Sequence, residues 1–324
     1  MGARRVAEDS ELAGISPIAT IPGARLVATN PTQTISDDRI GDYRYVRTIY
    51  PGTTSVVMEV VHEATNRRFA MKQLLASRGV DPAERRAFEF EARLGLELQH
   101  PNLIKVHAFH KDRDQPYFIM DYFPGFHLRL AIHKPKEFPI LRSSLHRIIS
   151  QAGAALAYMH DKGWIHRDVK PENIMCNKSG EIRVIDYTLT RRPVSFMAKL
   201  MGSRVPRQGT KSYMSPEQIL CESPAPTADV YSFGITCYEL ACGRQPFRAN
   251  SENELLQKHL REMPLPPQAY NKNITTEYSE LILSMIKKKP EERPQDLHQF
   301  LSRFAKIRVF QDDPPPNSGI EGLF

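Results

Sequence analysis

The chain has 324 residues, 41% of them hydrophobic and 25% charged, a composition ordinary for a soluble protein of one large or two modest globular domains. No apolar run approaches the roughly 18 residues that suggest a membrane span, and MGARRVAEDS lacks the apolar stretch of a secretion signal, so a soluble, cytoplasmic protein is expected. The formal charge of +7 admits nucleic acid or an acidic partner, but much of the excess lies in one segment described below, and no nucleic-acid role is expected. Val6 stands where a myristoylation site needs Ser or Thr. Cys176, Cys221, Cys237 and Cys242 are scattered. The last two lie roughly 140° apart around a helix with no His nearby, so the expectation is reduced structural thiols.

Residues 1–40 carry no sustained periodicity and are expected to form a flexible extension. From Tyr43 onward, RYVRTIYPGTTSVVMEVVHEATNRRFAMKQL holds β-branched and aromatic runs broken at PGTT and EATN, which predicts an antiparallel meander of three strands. DPAERRAFEFEARLGLELQ predicts a helix with Asp81 as N-cap and Pro82 at the first position. Two more strands are expected in LIKVHAFH and PYFIMDYF. Helices follow at about 141–160, 226–243, 251–262, 276–288 and 294–307, then a loose tail over 306–324. A β-rich part with one helix before a larger helical part implies an α+β protein of two lobes with a cleft between them.

The stretch WIHRDVKPENIMCNKSGEIRVIDYT places Asp168, Lys170, Asn173 and Asp186 between short apolar runs. With FAMK upstream and GTKSYMSPE and KKKPEERP downstream, the chain resembles the eukaryotic-type protein kinase family over about 41–305, with some likeness to its bacterial branch in SENELLQKHLREMPLPP and the SPEQ ending. The resemblance implies an N-lobe over 41–120, a hinge over 121–125 and a C-lobe over 126–305. It also implies ATP and Mg2+ as cofactors, with Mn2+ an alternative, and transfer of the γ-phosphoryl group to Ser or Thr of a protein substrate.

Residue by residue, the resemblance makes Lys72 the group that holds the α- and β-phosphates. Its carboxylate partner should lie on the inward face of the helix. Phe90, Leu94 and Leu98 recur every four residues and mark a buried stripe; Glu91, three before Leu94, shares that face, whereas Glu89 lies roughly 200° away. Asp168 becomes the base toward the substrate hydroxyl, Lys170 a counter-charge for the γ-phosphoryl group, and Asn173 and Asp186 the metal ligands, whose hard oxygens suit magnesium. Gly52, Val57, Ala70, Met120, Asp121 and Phe123 would surround the nucleotide, with Met120 as gatekeeper. Thr210 together with Lys170 is the Ser/Thr form of the substrate region. Glu217 would pair with Arg293, and Asp229 would brace the catalytic loop.

Three places depart from the family pattern. The glycine-rich loop reads YPGTTSVV, so only Gly52 keeps its glycine, Tyr50 limits close approach and Pro51 removes a donor. Thr188 follows Asp186-Tyr187 where glycine is usual, and it should make that turn flip less readily. Gly95 stands where a bulky apolar residue would stack above Tyr187, so a small void or a tilted helix is expected unless Leu94 or Leu96 fills the space.

Between Asp186 and Glu217 lie Arg191, Arg192, Lys199, Arg204, Arg207 and Lys211 and no acidic residue. These are either a solvated basic loop or, with Arg167, a receptor for phosphate added to Ser203, with Ser195 and Thr190 behind it. The same cations could instead select acidic substrates, against Glu172, whose place in KPEN favours a basic residue upstream of the target. A scaffold that binds partners with weak or no catalysis stays open beside the kinase reading. A small-molecule phosphotransferase is disfavoured by GTKSYMSPE and Arg293.

Overall fold

The computed structural model describes residues 39–75, 81–112, 115–193 and 204–314. The N-terminal extension, Ser195 and Ser203 lie outside the described residues.

The N-terminal part is a six-stranded antiparallel sheet in the order β1-β2-β3-β4-β6-β5, with β1 Arg39–Ile40, β2 Tyr43–Pro51, β3 Ser55–His62, β4 Arg68–Leu74, β5 Val106–His110 and β6 Tyr117–Asp121. Val57 faces Lys72 and Lys72 faces Phe118, while Ala70 faces Met120. Because side chains alternate along a strand, this register puts Val57, Ala70, Lys72 and Met120 on one face. The opposite face carries Met58, Val60, Phe69, Met71 and Ile119, which with Tyr43 form a separate small core.

Helix α1, Pro82–Glu97, begins where expected: the Asp81 carboxylate accepts from the Ala83 N–H at 2.8 Å and Pro82 occupies the first turn. Its buried residues are Phe88, Glu91, Ala92, Leu94 and Gly95. Phe90 is only partly buried, at the edge of the stripe, with its ring edge-on to Trp164 at 5.7 Å.

The C-terminal part begins with β7 Phe126–His127 and α2 Leu128–His133, followed by the short α3 Ile140–Ser143 and the long α4 Leu145–Asp161. β7 pairs with β8 Ile174–Cys176, and β8 with β9 Ile182–Val184, in a three-stranded sheet on either side of the loop that carries Asp168. Then come α5 Pro216–Ile219, α6 Pro226–Cys242, α7 Glu252–Arg261, α8 Thr276–Met285 and α9 Leu297–Phe304. Helix α6 is buried nearly all round and ends at Gly243, whose φ of 70° is the left-handed cap that glycine adopts without strain. The α+β architecture is as expected, and the largest hydrophobic core lies around α4, α6, α8 and α9.

The tail boundary needs correction. Residues 306–313 are not loose: Val309 and Phe310 are buried, and Phe310 bridges Ile274. The Arg142 guanidinium lies 3.7 Å above the Phe310 ring and pairs with Asp312 and Asp313. Two apolar side chains and two carboxylates anchor it just before a run of three prolines, a signal that composition alone conceals. Residues 315–324 lie outside the described residues.

Candidate active site

Two positive-φ residues, Arg167 at 68° and Asp186 at 69°, hold the loops of the site in a conformation that side-chain-bearing residues seldom adopt. Asp229 on α6 stabilises the first of these. Fully buried, it accepts the His166 and Arg167 N–H groups at 2.7 and 2.8 Å and also the His160 imidazole at 2.9 Å. Burial raises its carboxyl, but the hydrogen bond and charge of His160 outweigh that and hold it below the usual range. Asp229 thus braces the loop as expected.

Asp168 is the hub of that loop. Its Oδ1 accepts the Thr210 N–H at 2.9 Å; its Oδ2 accepts Lys170 Nζ at 2.6 Å and Asn173 Nδ2 at 3.1 Å. Lys170 Nζ also donates to Thr210 Oγ1 at 2.7 Å. Asn173 Nδ2 donates to the Asp168 carbonyl at 2.9 Å, which orients its amide nitrogen inward and its oxygen away from that loop.

On the sheet side, Lys72 Nζ reaches Glu91 Oε1 and Oε2 at 2.7 and 2.8 Å, as the helical spacing implied. Burial works to lower the Lys72 ammonium, but Glu91 and Asp186 outweigh it and the net direction is up. Burial raises Glu91, and Asp186 adds to this against Lys72. Asp186 is lowered, since Lys72 and the Thr188 hydrogen bonds outweigh its burial. One ammonium therefore serves two carboxylates, bonded to Glu91 and close enough to Asp186 to lower it.

Tyr187 is buried, and its hydroxyl donates to the Ile104 carbonyl at 3.1 Å. The void expected beside Gly95 is absent. A Cβ there would lie 2.3 Å from Val106 Cγ2 and 3.6 Å from the Tyr187 ring, so Val106 of β5 fills the space. Gly95 lets α1 approach β5 closely, a contact between elements that a reading of α1 alone does not reach.

Around the nucleotide region, Met120 of β6 pairs with Ala70. The Asp121 carboxylate meets His107 at 2.6 Å, and the Phe123 ring lies beneath the Arg183 guanidinium at 4.9 Å. Gly52 makes a tight turn in which a Cβ would stand 2.5 Å from the Ser55 carbonyl oxygen; Tyr50 is exposed, and Pro51 pairs with Val56 at the end of β2.

Glu217 and Arg293 form the expected pair, with two bonds of 2.7 and 2.9 Å. Arg167 is almost fully buried. It donates to the Leu189 and Pro206 carbonyls, and its Nε has no hydrogen-bond partner among the described residues. Thr190 is buried as well, which removes it as an accessible modification site in this conformation.

Two features escaped the sequence reading. Glu172 is held by Arg129 of α2, Nε to Oε1 at 2.8 Å; the same guanidinium binds Glu239 at 2.5 Å and contacts the Tyr213 hydroxyl. An internal cation thus already sits on the carboxylate expected to attract a basic substrate residue. The second is the Thr188 hydroxyl, which reaches both Asp186 and Glu91. A hydroxyl two residues after an Asp is a known turn former, a signal that was available.

The family described as protein kinase domain matches residues 43–303. The chain belongs to the protein kinase family. It is 32% identical to the serine/threonine-protein kinase PknB of Mycobacterium tuberculosis over 80% of this chain and 42% of the relative, and 33% identical to PknB of Mycolicibacterium smegmatis over the same shares. It is 30% identical to PknA of Mycobacterium tuberculosis over 86% of this chain and 64% of that relative. The chain spans less than half the length of the PknB relatives that it matches. The likeness to the bacterial branch agrees with the sequence reading, and the family uses ATP and a divalent metal. No helix among the described residues is long and apolar enough to cross a membrane.

Proposed function

We propose that this kinase domain transfers the γ-phosphoryl group of ATP to Ser or Thr hydroxyls of protein substrates, including its own activation segment. The observation that carries this is the hydrogen-bonded unit of Asp168, Lys170, Asn173 and Thr210, a carboxylate centred among donors beside the Lys72–Glu91 pair. Asp168 is poised to orient the substrate hydroxyl and accept its proton. Lys170, bound to both Asp168 and Thr210, brings positive charge to the place where the transferring group would sit.

The residues fit a hard divalent cation. Asp186 is held ionised, and Asn173 spends its amide nitrogen on Asp168, which leaves its oxygen as a donor; both are oxygen ligands of the kind that magnesium, and less selectively manganese, prefers. The metal, when bound, neutralises charge on the phosphates. Lys72 has three N–H groups and gives two bonds to Glu91, so one remains for a nucleotide oxygen. Val57, Ala70 and Met120 supply the apolar wall for the base, Gly52 the close backbone approach, and Asp121 to Phe123 the hinge. The four cysteines are free, and burial raises the thiols of Cys176 and Cys242 to about 12, which suits a reducing, ATP-containing cytoplasm.

The unpartnered Nε of buried Arg167 supports capture of a phosphate on the activation segment, with Ser203 the favoured position. Ser203→Ala is expected to lower turnover. Autophosphorylation and substrate turnover equal to wild type would remove Ser203 from this role.

The deciding experiment is Mg-dependent incorporation of labelled γ-phosphate into the chain and a generic basic protein, beside Asp168→Asn. Incorporation lost in the variant supports catalysis. Nucleotide binding without incorporation in the wild type supports a scaffold, the reading favoured by Tyr50, Pro51 and Thr188, and makes those three residues the ones to revert.

A further inference from the structure

Thr188 lies on the C-terminal side of the cleft, and Glu91 lies on α1 of the N-terminal side. The Thr188 N–H donates to Asp186 Oδ1 at 3.2 Å, and its hydroxyl lies 2.6 Å from that same oxygen and 3.0 Å from Glu91 Oε2. Glu91 Oε2 is also 2.8 Å from Lys72 Nζ. A glycine at position 188 could make the backbone bond but not the side-chain one.

The setting explains what the hydroxyl does. Asp186, partly buried, and Glu91, buried, are two carboxylates that meet at one hydroxyl. Coulomb repulsion in such surroundings pushes α1 away from the loop. With the Thr188 N–H on Asp186, the hydroxyl can give its single proton to Glu91, so that one residue bonds both sides. Thr188 has negative φ, unlike Asp186, and its β-branched side chain restricts χ1, so the hydroxyl is held in place.

We propose that Thr188 is a positioning residue that ties the Asp186 carboxylate to the Lys72–Glu91 pair and so keeps α1 docked when no nucleotide is present. This rests on the phosphoryl-transfer reading of the same site. It also changes the meaning of the missing glycine: the turn is fastened as well as stiffened. Glycine would remove that bond, leaving Lys72 on Glu91 and, further along α1, the contacts of Glu97 with Trp164 and Arg192.

The test uses the full chain and three variants: Thr188→Val, which keeps the shape and removes the hydroxyl; Thr188→Ala, which removes hydroxyl and branch; and Thr188→Ser, which keeps the hydroxyl. Hydrogen–deuterium exchange of the amides in residues 82–97 is followed without nucleotide, and KM for ATP and kcat are measured separately. Loss of a hydrogen bond to a charged group should speed exchange of α1 about tenfold or more in the Val and Ala variants, while Ser stays within about twofold of wild type. KM for ATP should rise more than kcat falls, because bound nucleotide restores the docked helix. Val and Ala variants that exchange α1 like wild type, or a Ser variant that behaves like Val, would overturn the proposal. A wild type that transfers no phosphate yet shows the Val and Ala exchange effect would overturn the catalytic reading and leave the tie intact.

Discussion

Two buried ion pairs, Lys72–Glu91 and Glu217–Arg293, join distant parts of the chain through paired short bonds, yet they are built differently. Arg293 gives two bonds to Glu217 and three more to the carbonyls of Thr227, Lys287 and Lys288, so all five of its N–H groups are used. Among the described residues Lys72 gives two, both to Glu91, and a second carboxylate, Asp186, stands close by. A saturated guanidinium can do nothing further and serves as a fastener. An undersatisfied ammonium with two competing carboxylates has capacity left for a ligand. Full satisfaction marks the structural pair, and deliberate incompleteness marks the working one.

Breaking the fastener should have the larger effect on the fold. Arg293→Met leaves Glu217 buried without its partner and should cost about 3–5 kcal/mol of unfolding free energy, measured by urea denaturation. Adding Glu217→Leu to that variant should recover most of the loss, because two apolar groups need no pairing. Breaking the working pair should do the reverse. Lys72→Met should lower kcat about 10²–10³-fold, the cost of removing one charge-stabilising donor, while moving the urea midpoint far less than Arg293→Met does. Equal stability losses in the two variants would erase the distinction.

A smaller effect sharpens the picture of α1. Gly95→Ala puts a methyl group 2.3 Å from Val106 Cγ2 and should cost about 1–3 kcal/mol by overpacking. Because the same helix carries Glu91, KM for ATP should rise with it, and Val106→Ala in the same chain should relieve both.

The smallest is a pH effect in the C-terminal part. Burial, with Lys288 adding to it, lowers the His259 imidazole to about 3, and its ring is hydrogen-bonded to the Tyr231 hydroxyl at 2.9 Å. An imidazole in the unfolded chain takes up its proton near pH 6.5, and the folded one does not, so this contribution is present in full above 6.5 and lost as the pH falls toward 3. The loss between pH 7 and pH 6 should be about 0.7 kcal/mol. Urea midpoints at the two pH values should differ less in His259→Gln than in wild type.

Local rules settled much of this protein in advance. The 3.6-residue period singled out Glu91 over Glu89, the Asp81-Pro82 start placed α1, and the ordered polar groups of HRDVKPEN with the later Asp186 marked the cleft, because each of these depends on residues close in sequence. What only the tertiary structure decided involves contacts between segments far apart. Val106 occupies the room left by Gly95, Arg129 sits on Glu172 and Glu239, and Phe310 packs against the domain from beyond the expected boundary. The Thr188 hydroxyl between Asp186 and Glu91 is of the same kind. Periodicity says which way a side chain faces along its own element, and only folding says what it meets there.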